Sequence, residues 1–419
     1  MCFTSTFKNK NILIGVCGGI AIYKVCDLIR NLKKEEADVK VVLTTGAEKF
    51  INPLLFSSLS ENKTYTNEDF FKAEGSILHI ELGKYPDLIL IVPATASFIS
   101  KLATGSASEL LLAILLSTKA PVYVFPSMNA SMWEHPATKE NVEKLRKYGY
   151  FIYEPAEGLL ACKEFGKGRL PEVEEILEVI KAHFTEKTLL GKRVLITGGP
   201  TREYIDEVRF ITNASSGKTA FFLAKEAYYR GAEVHLIWGL DAFPYVLPKL
   251  NYFSDIPFPN IYFVKTTREM FEIAKSLFPQ CEISIFAGAP CDFRPKMPFK
   301  GKLKKEESLT IELELTEDIA KTLNSYKSER QITIGFALEE KERILNYGKE
   351  KKKEKSFDIL IANPLSTAGK DQSDYIIFTP KEELKFENLP KTQLAKVLFD
   401  LIGSKRQRGS SSKKSPVAS

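Results

Sequence analysis

The sequence predicts an α/β protein made of two doubly wound, mostly parallel-sheet domains in tandem. Three observations carry that expectation. Short continuous runs of Val, Ile and Leu alternate with helical stretches, the pattern of strands buried on both faces of a parallel sheet. The pattern starts twice, at Asn11–Val16 and again at Lys192–Thr197. Each opening strand then enters a glycine-bearing turn, Cys17-Gly18-Gly19 in the first half and Gly198-Gly199-Pro200-Thr201 in the second.

In the first half a helical stretch Ile20–Lys34 follows the turn, with further buried-strand runs at Val39–Leu43, Asp87–Val92 and Pro121–Phe125 and a closing helix at Glu172–Phe184. Thr185–Gly191 reads as a linker. In the second half strands are expected at Glu233–Ile237, Ile261–Lys265, Glu282–Ala287, Gln331–Gly335 and Asp358–Ala362, with helices at Thr219–Arg230, Thr267–Leu277, Glu339–Lys355 and Lys391–Ile402. The expected organisation is therefore two Rossmann-like domains, 1–187 and 188–402, and a disordered basic tail, 403–419. The stretch Phe243–Pro259, with four prolines, fits no motif and reads as a loop or an intersubunit contact.

At 419 residues, 44% hydrophobic and 27% charged, the chain is neither disordered nor a disulfide-stapled miniprotein. The net charge of +6 suggests a nucleic-acid or anionic-surface partner, but Lys405, Arg406, Arg408, Lys413 and Lys414 of the tail supply five of those charges. The body is nearly neutral, and neither nucleic acid nor membrane is expected as a partner. The six cysteines show no metal-ligand spacing and read as free thiols. The longest apolar run, Leu110–Leu116, is far below the ~18–20 residues of a membrane span. With no apolar signal segment after Met1, a cytoplasmic protein is expected.

Ligands of doubly wound sheets bind beyond the carboxyl ends of the strands, so the loops there carry the functional reading. Gly15-Val16-Cys17-Gly18-Gly19-Ile20 ends a strand and opens a helix, where glycines allow a tight turn and free N–H groups favour a phosphate. It lacks the G-x-G-x-x-G spacing and an acidic ribose anchor, which favours a mononucleotide or flavin phosphate over a dinucleotide. The small residues Pro93-Ala94-Thr95-Ala96 would let a flat ring approach the backbone. Asn129 follows another buried strand and could orient a substrate, or serve only as a turn residue. Cys162 sits in a loop flanked by Gly158 and Gly166, beside Lys163, which could lower its pKa. His79 is one of four histidines, and its position before a strand does not by itself distinguish a catalyst from a structural residue.

Together and in this order, Gly15-x-x-Gly18-Gly19-Ile20-Ala21-x-Tyr23-Lys24, His79-Ile80-Glu81-Leu82, Pro93-Ala94-Thr95-Ala96, Pro126-x-Met128-Asn129 and the Cys162 loop resemble the flavin-dependent phosphopantothenoylcysteine decarboxylases over about residues 9–184. The resemblance implies a flavodoxin-like first half that binds FMN through Gly15, Cys17, Gly18, Thr44, Pro93, Ala94 and Thr95. It implies oxidation of the substrate's cysteine thiol to a thioaldehyde, loss of CO2 to an enethiolate, and return of the hydride with a proton from Cys162. His79 would serve the oxidative and decarboxylating phase, and Asn129 would hold the substrate's carboxylate or amide. Three departures stand out: Cys17 where the family has Ser, Lys163-Glu164 where its clamp has Gly-Asp, and Ala107-Ser108-Glu109-Leu110 in place of Ala-Asn/Asp-Asp-Leu.

The second half carries a long polar loop, Gly199 to Lys218, ending in Ser215-Ser216-Gly217-Lys218 at a helix start. Hydroxyls, N–H groups, dipole and cation suit a phosphate. The full Walker A motif is absent, because Thr212 stands in place of its first glycine. This loop, with Ala289–Pro295, Lys302-Leu303-Lys304-Lys305, Ile334–Ala337, and Lys351 and Lys355 ahead of Asp358, resembles the phosphopantothenate–cysteine ligases over about residues 190–402. The resemblance implies nucleotide contacts by Phe286, Ala287, Gly288, Asp292, Lys302, Glu317, Asp318, Ile319, Ala320, Phe336, Lys351 and Lys355. Ser215, Ser216, Gly217 and Lys218 would take the substrate phosphate, Asp292 would hold Mg2+, and Asn213 would act on the acyl-nucleotide intermediate. Pro290-Cys291 replaces the family's Val-Ala, and Thr316-Glu317-Asp318 its Asn-Pro-Asp.

The expected protein is thus a fused enzyme of coenzyme A synthesis. It would join 4′-phosphopantothenate to cysteine with CTP and decarboxylate the product to 4′-phosphopantetheine. The resemblance also implies a homo-oligomer, trimeric through the first half and dimeric through the second. Two rivals are a flavin-dependent decarboxylase of peptidyl cysteines, against which the ligase-like half argues, and a non-catalytic regulatory protein that kept the fold.

Overall fold

The computed structural model describes residues 6–72, 77–161, 163–239, 247, 258–304, 310–367 and 369–410. The chain divides between Phe184 and Thr185 into two compact units.

The first unit contains β1 (Asn11–Val16), α1 (Lys24–Lys34), β2 (Asp38–Leu43), α2 (Thr45–Glu48), α3 (Pro53–Ser60), β3 (Thr64–Tyr65), α4 (Leu78–Lys84), β4 (Leu88–Ala94), α5 (Ala96–Ala103) and α6 (Leu110–Ser117). It continues with β5 (Val122–Pro126), α7 (Ala130–Glu134), α8 (Pro136–Lys147), β6 (Phe151–Ile152), the hairpin β7 (Ala156–Leu159) and β8 (Phe165–Arg169), and α9 (Val173–Phe184). The main sheet has the order β3-β2-β1-β4-β5-β6, with every pair parallel. Without the two-residue β3 this is the flavodoxin-like order 2-1-3-4-5. Side chains alternate across the sheet: Ile12, Ile14 and Val16 enter the core on one face, Leu13 and Cys17 that on the other. Helix α1 buries Val25, Leu28, Ile29 and Leu32, an i, i+3, i+4, i+7 stripe, while Asp27 and Lys34 stay off that stripe. The apolar run seen in the sequence is α6, buried from Leu110 to Leu115 and apolar all round, as suits a helix inside a core.

The second unit comprises β9 (Arg193–Gly198), β10 (Arg202–Tyr204), β11 (Phe210–Thr212), α10 (Lys218–Tyr229), β12 (Glu233–Trp238), β13 (Asn260–Phe263), α11 (Thr267–Leu277), β14 (Ile283–Phe286), β15 (Phe293–Pro295) and β16 (Leu313–Leu315). Then come α12 (Ile319–Asn324), β17 (Ile332–Glu339), α13 (Ile344–Glu354), β18 (Ile359–Pro364), β19 (Gln372–Phe378), β20 (Glu383–Pro390) and α14 (Lys391–Ser410). The order β13-β12-β9-β14-β17-β18-β19-β20 is a parallel 3-2-1-4-5-6 sheet extended by an antiparallel pair.

The structure corrects several expectations. Strands β19 and β20 escape an apolar-run search, because β20 is largely exposed and both alternate polar with apolar residues. The expected helix Glu339–Lys355 begins only at Ile344, because β17 runs on to Glu339. The expected disordered tail is helical as far as Ser410, and residues 411–419 lie outside the described residues. Most of Phe243–Pro259 also lies outside them. Among the described residues, no helix is long and apolar enough to cross a membrane.

Candidate active sites

In the first unit the loops at the carboxyl ends of β1, β2, β4 and β5 surround a cavity of about 1020 Å3, with the β7–β8 hairpin along one side. Its lining includes Cys17, Gly18, Thr44, Gly46, Asn67, Thr95, Lys101, Glu109, Asn129 and Arg169. Two threonines shape the floor as helix caps. Thr44 accepts from Ala47 N and donates to the Val16 carbonyl, and Thr95 accepts from Phe98 N. The post-β1 and post-β2 turns nearly touch: a Cβ on Gly18 would lie 2.4 Å from the Gly46 carbonyl oxygen. Only glycine fits there, which lets the two turns close on each other beside the cavity. Lys101 and Glu109 neutralise each other at 3.3 Å. Burial pushes the Cys17 thiol up, and a hydrogen bond from the Thr95 backbone offsets only part of that, so Cys17 stays protonated.

The expected residues distribute unevenly. Cys17, Gly18, Thr44, Thr95 and Asn129 line the cavity. Gly15 does not: it is a packing glycine, and a Cβ there would meet Ile91 and Leu111 at 2.7 Å. Pro93 and Ala94 stand behind the lining, where the Pro93 carbonyl accepts from Cys17 N and the Ala94 carbonyl from Ser127 N. His79 also lies outside the lining. It sits on α4 with its ring edge-on to Phe70 at 5.6 Å, and its carbonyl accepts from Ser117 Oγ. Cys162 lies outside the described residues; Leu159, Leu160 and Ala161 before it line the cavity. Asn129 caps α7 through Ser131 N and donates to Glu164 Oε2 at 2.8 Å. Lys163 has φ of 66°, the left-handed region a glycine would occupy without strain. Gly46, Asn67 and Arg169 were missed by sequence reasoning. The strand-end rule reaches Gly46, which follows β2, whereas Asn67 and Arg169 carry no local signal.

In the second unit the post-β9 and post-β14 loops run side by side: Pro200 bridges Ala289, and Ala289 N donates to the Gly199 carbonyl. Asn213 joins them by donating to the carbonyls of Ala289 (3.3 Å) and Pro290 (2.9 Å). The two unusual sequences meet here, because Thr316 Oγ1 donates to the Cys291 carbonyl at 2.5 Å and Thr316 N to the Asp292 carbonyl at 3.0 Å. Beneath them Thr201, Thr267 and Glu203 form a buried polar network, with Cys291 N donating to Thr201 Oγ1 and Thr267 N to Glu203. None of these three was expected from sequence.

Phe286 is buried at the end of β14, followed by Ala287 and Gly288, whose N–H donates to Thr197 Oγ1. Asp318 caps α12, whose first residues are Ile319 and Ala320, and pairs with Lys355 at 2.8 Å. Burial raises its carboxyl, but Lys355 and the Lys321 N–H outweigh burial and hold it below the usual range. Burial, with Lys355 nearby, lowers Lys351, against the pull of Asp292, Asp318 and Glu339. These groups therefore form one charged cluster with Asp292, while Phe336 on β17 is half-buried. Glu317 is held by Arg294 at 3.3 Å. Lys302 is exposed, on a loop anchored by the buried Asp206, which accepts from Leu303 N, Val208 N and Arg209 N. Burial opposes that charge, yet these bonds hold the Asp206 carboxyl at about 2. At the other edge, Ser215 Oγ accepts from Gly217 N and Ser216 Oγ from Lys218 N. Gly217 (φ 71°) packs where a Cβ would meet Trp238 at 2.2 Å.

Two doubly wound units, one enclosing a glycine-walled cavity and one presenting an open charged face, define a tandem α/β protein with two separate ligand sites. Residues 4–185 match the Flavoprotein family and residues 189–405 the DNA/pantothenate metabolism flavoprotein C-terminal domain. The chain is 42% identical over 369 residues to the coenzyme A biosynthesis bifunctional protein CoaBC of Bacillus subtilis, covering 86% of this chain and 87% of that one. It is 37% identical over 398 residues to that of Borreliella burgdorferi (94% and 99% covered), and 36% identical over 408 residues to that of Haemophilus influenzae (96% and 99%). The chain belongs to the family of bifunctional coenzyme A biosynthesis proteins.

Proposed function

We propose that the first unit carries the decarboxylase site in the cavity and the second the ligase site on the charged face. The chain is a bifunctional enzyme of coenzyme A biosynthesis, both phosphopantothenoylcysteine decarboxylase and phosphopantothenate–cysteine ligase. The observation that carries the assignment of sites is the cavity at the strand ends, where Gly18 and Gly46 leave backbone to face a ligand.

The cavity fits FMN. Its volume suits a cofactor, its walls are small and largely apolar, and the α2 and α5 starts beside Thr44 and Thr95 present helix N-termini. Thr44, Thr95, Gly18 and the Cys17 backbone would hold it, and when bound it supplies the two-electron oxidation and reduction that the side chains cannot. Asn129, fixed by Ser131 and Glu164, orients the substrate's carboxylate end. Cys162, on the neighbouring loop, donates the final proton at carbon. His79 lies outside the lining, against Phe70, and we infer that it completes the cavity of a neighbouring copy in a homotrimer. Supporting this, exposed Ile20, Tyr23, Leu159 and Phe165 surround the cavity mouth and exposed Phe71 and Ile77 flank the His79 helix, apolar surface that a second copy would cover.

In the ligase unit, Ser215 to Lys218 hold the phosphate of phosphopantothenate, whose carboxylate attacks the α-phosphate of CTP. Lys302, Lys351 and Lys355 meet the nucleotide phosphates, and Asn213 holds the acyl nucleotide for the cysteine amine. Among the described residues no three His, Cys, Asp or Glu side chains form a metal cage. Mg2+ typically takes one or two carboxylates plus substrate phosphates, which fits the exposed Asp292.

The test is turnover of the purified chain with phosphopantothenate, cysteine and CTP. The expected products are CMP, pyrophosphate, CO2 and phosphopantetheine. Cys162→Ala should instead accumulate the oxidised, decarboxylated enethiol, and normal product from that variant would refute its role as proton donor.

A further inference from the structure

Helices α10 and α14 lie side by side in the same direction. Lys218 and Lys391, the first residue of each, meet at Asp371. Lys218 Nζ is 2.6 Å from Asp371 Oδ1, and Lys391 N donates to the Asp371 carbonyl at 3.0 Å. Farther along, Arg230 at the end of α10 reaches the Lys396 carbonyl and Asp400 of α14. The positive ends of two helix dipoles therefore converge on one point.

Lys391 is poorly placed for stability. It is only 8% exposed, at the positive end of its own helix, and close to a second lysine. Among the described residues no acceptor sits on its ammonium group. Burial, and then Lys218, hold its ammonium below the ordinary lysine range, with Asp371 offsetting part of the effect. The Asp371 carboxylate is 78% exposed, and an exposed pair contributes little, so a ligand exchanges with it at little cost. What the arrangement lacks is an anion with more charge than one carboxylate.

We propose that Lys391 is the second cation of the substrate-phosphate site, binding the phosphomonoester of 4′-phosphopantothenate together with Lys218 and the α10 N-terminus, and displacing Asp371. The proposal rests on the reading that Ser215 to Lys218 hold that phosphate. It adds a residue about 170 positions away in the chain, contributed by the C-terminal helix.

Calorimetric titration of the full-length chain with 4′-phosphopantothenate, pantothenate, inorganic phosphate and CTP tests it. Lys391→Met should weaken 4′-phosphopantothenate about ten- to hundredfold, as expected for a charge-assisted hydrogen bond, and weaken inorganic phosphate in parallel. Pantothenate and CTP should be unaffected, and Lys391→Arg should recover most of the loss. Lys391→Gln replaces the Met variant if circular dichroism shows that one unfolded. Loss of CTP binding alone, or equal loss for pantothenate, would overturn the proposal. Weakening by Lys218→Met but not by Lys391→Met would overturn it and leave the phosphate reading standing. If neither variant changes binding, both are wrong.

Discussion

The cavity of the first unit is walled largely by glycine, threonine and apolar side chains, and its charged lining residues are already paired, Lys101 with Glu109 and both Lys24 and Arg169 with Glu172. The face of the second unit is open and crowded with charge: Lys218 leans on Asp371, Lys355 on Asp318 and Arg294 on Glu317. The difference follows from the ligands. A flat cofactor is held by shape and by a few backbone donors, which glycine supplies by its absence of side chain. Phosphates need cations, and cations held without partners destabilise the resting protein; Lys218 and Lys355 accordingly rest on carboxylates that a phosphate can replace, whereas Lys391, among the described residues, does not. One site is pre-shaped and the other is pre-charged.

The largest expected effect probes the shaped site. His79→Ala should lower CO2 release, and Cys162→Ala formation of the reduced phosphopantetheine product, each about 10²–10⁴-fold. Co-assembled, they should restore part of that product's formation, because an intact His79 and an intact Cys162 then meet in one cavity. Mixed assemblies with no more activity than either parent would place both residues in the same chain. In the charged site, Thr316→Val leaves the Cys291 carbonyl with less hydrogen bonding, about 1 kcal/mol. It should raise the KM for CTP about fivefold, whereas Thr316→Ser should not. An unchanged KM in the Val variant would detach Thr316 from the placement of Asp292.

Acid sharpens the contrast further. The Asp206 carboxyl sits at about 2, below its ordinary value of about 3.9, so its stabilisation is complete above about pH 4 and is lost as the pH falls towards 2. Asp206→Asn should flatten the acid dependence of unfolding of the ligase unit over that range, as followed by circular dichroism. An unchanged acid limb would contradict the anchoring of the Lys302 loop. The smallest effect falls on the decarboxylase hairpin. Lys163→Gly relieves a left-handed residue costing roughly 1–2 kcal/mol but adds chain entropy, leaving a net gain below about 1 kcal/mol. A lower melting temperature would mean that the Lys163 side chain itself contributes.

Both sheets were legible because their central strands are continuous apolar runs, and the helices because α1 and α11 show a 3.6-residue stripe. Strands β19 and β20 were not, since alternation on an edge hairpin leaves no apolar run. The strand-end rule reached Asn129 because a loop's position follows from the strand before it, whereas Thr44 and Asn213 came from the family resemblance alone. The resemblance also named Gly15, which packs against Leu111 outside the lining, since a glycine needed for packing reads the same as one needed for a ligand. His79 matched a motif, but a motif does not say which way a helix faces. Thr201, Thr267 and Lys391 were invisible, because their roles arise from segments that only folding brings together.

The most direct test of the account is the visible absorption spectrum of the purified chain beside that of Gly18→Ala. One bound FMN per wild-type chain, lost in the variant whose Cβ would sit 2.4 Å from the Gly46 oxygen, is the predicted result. A colourless wild-type protein, or a variant that keeps its full complement of flavin, would contradict the assignment of the cavity.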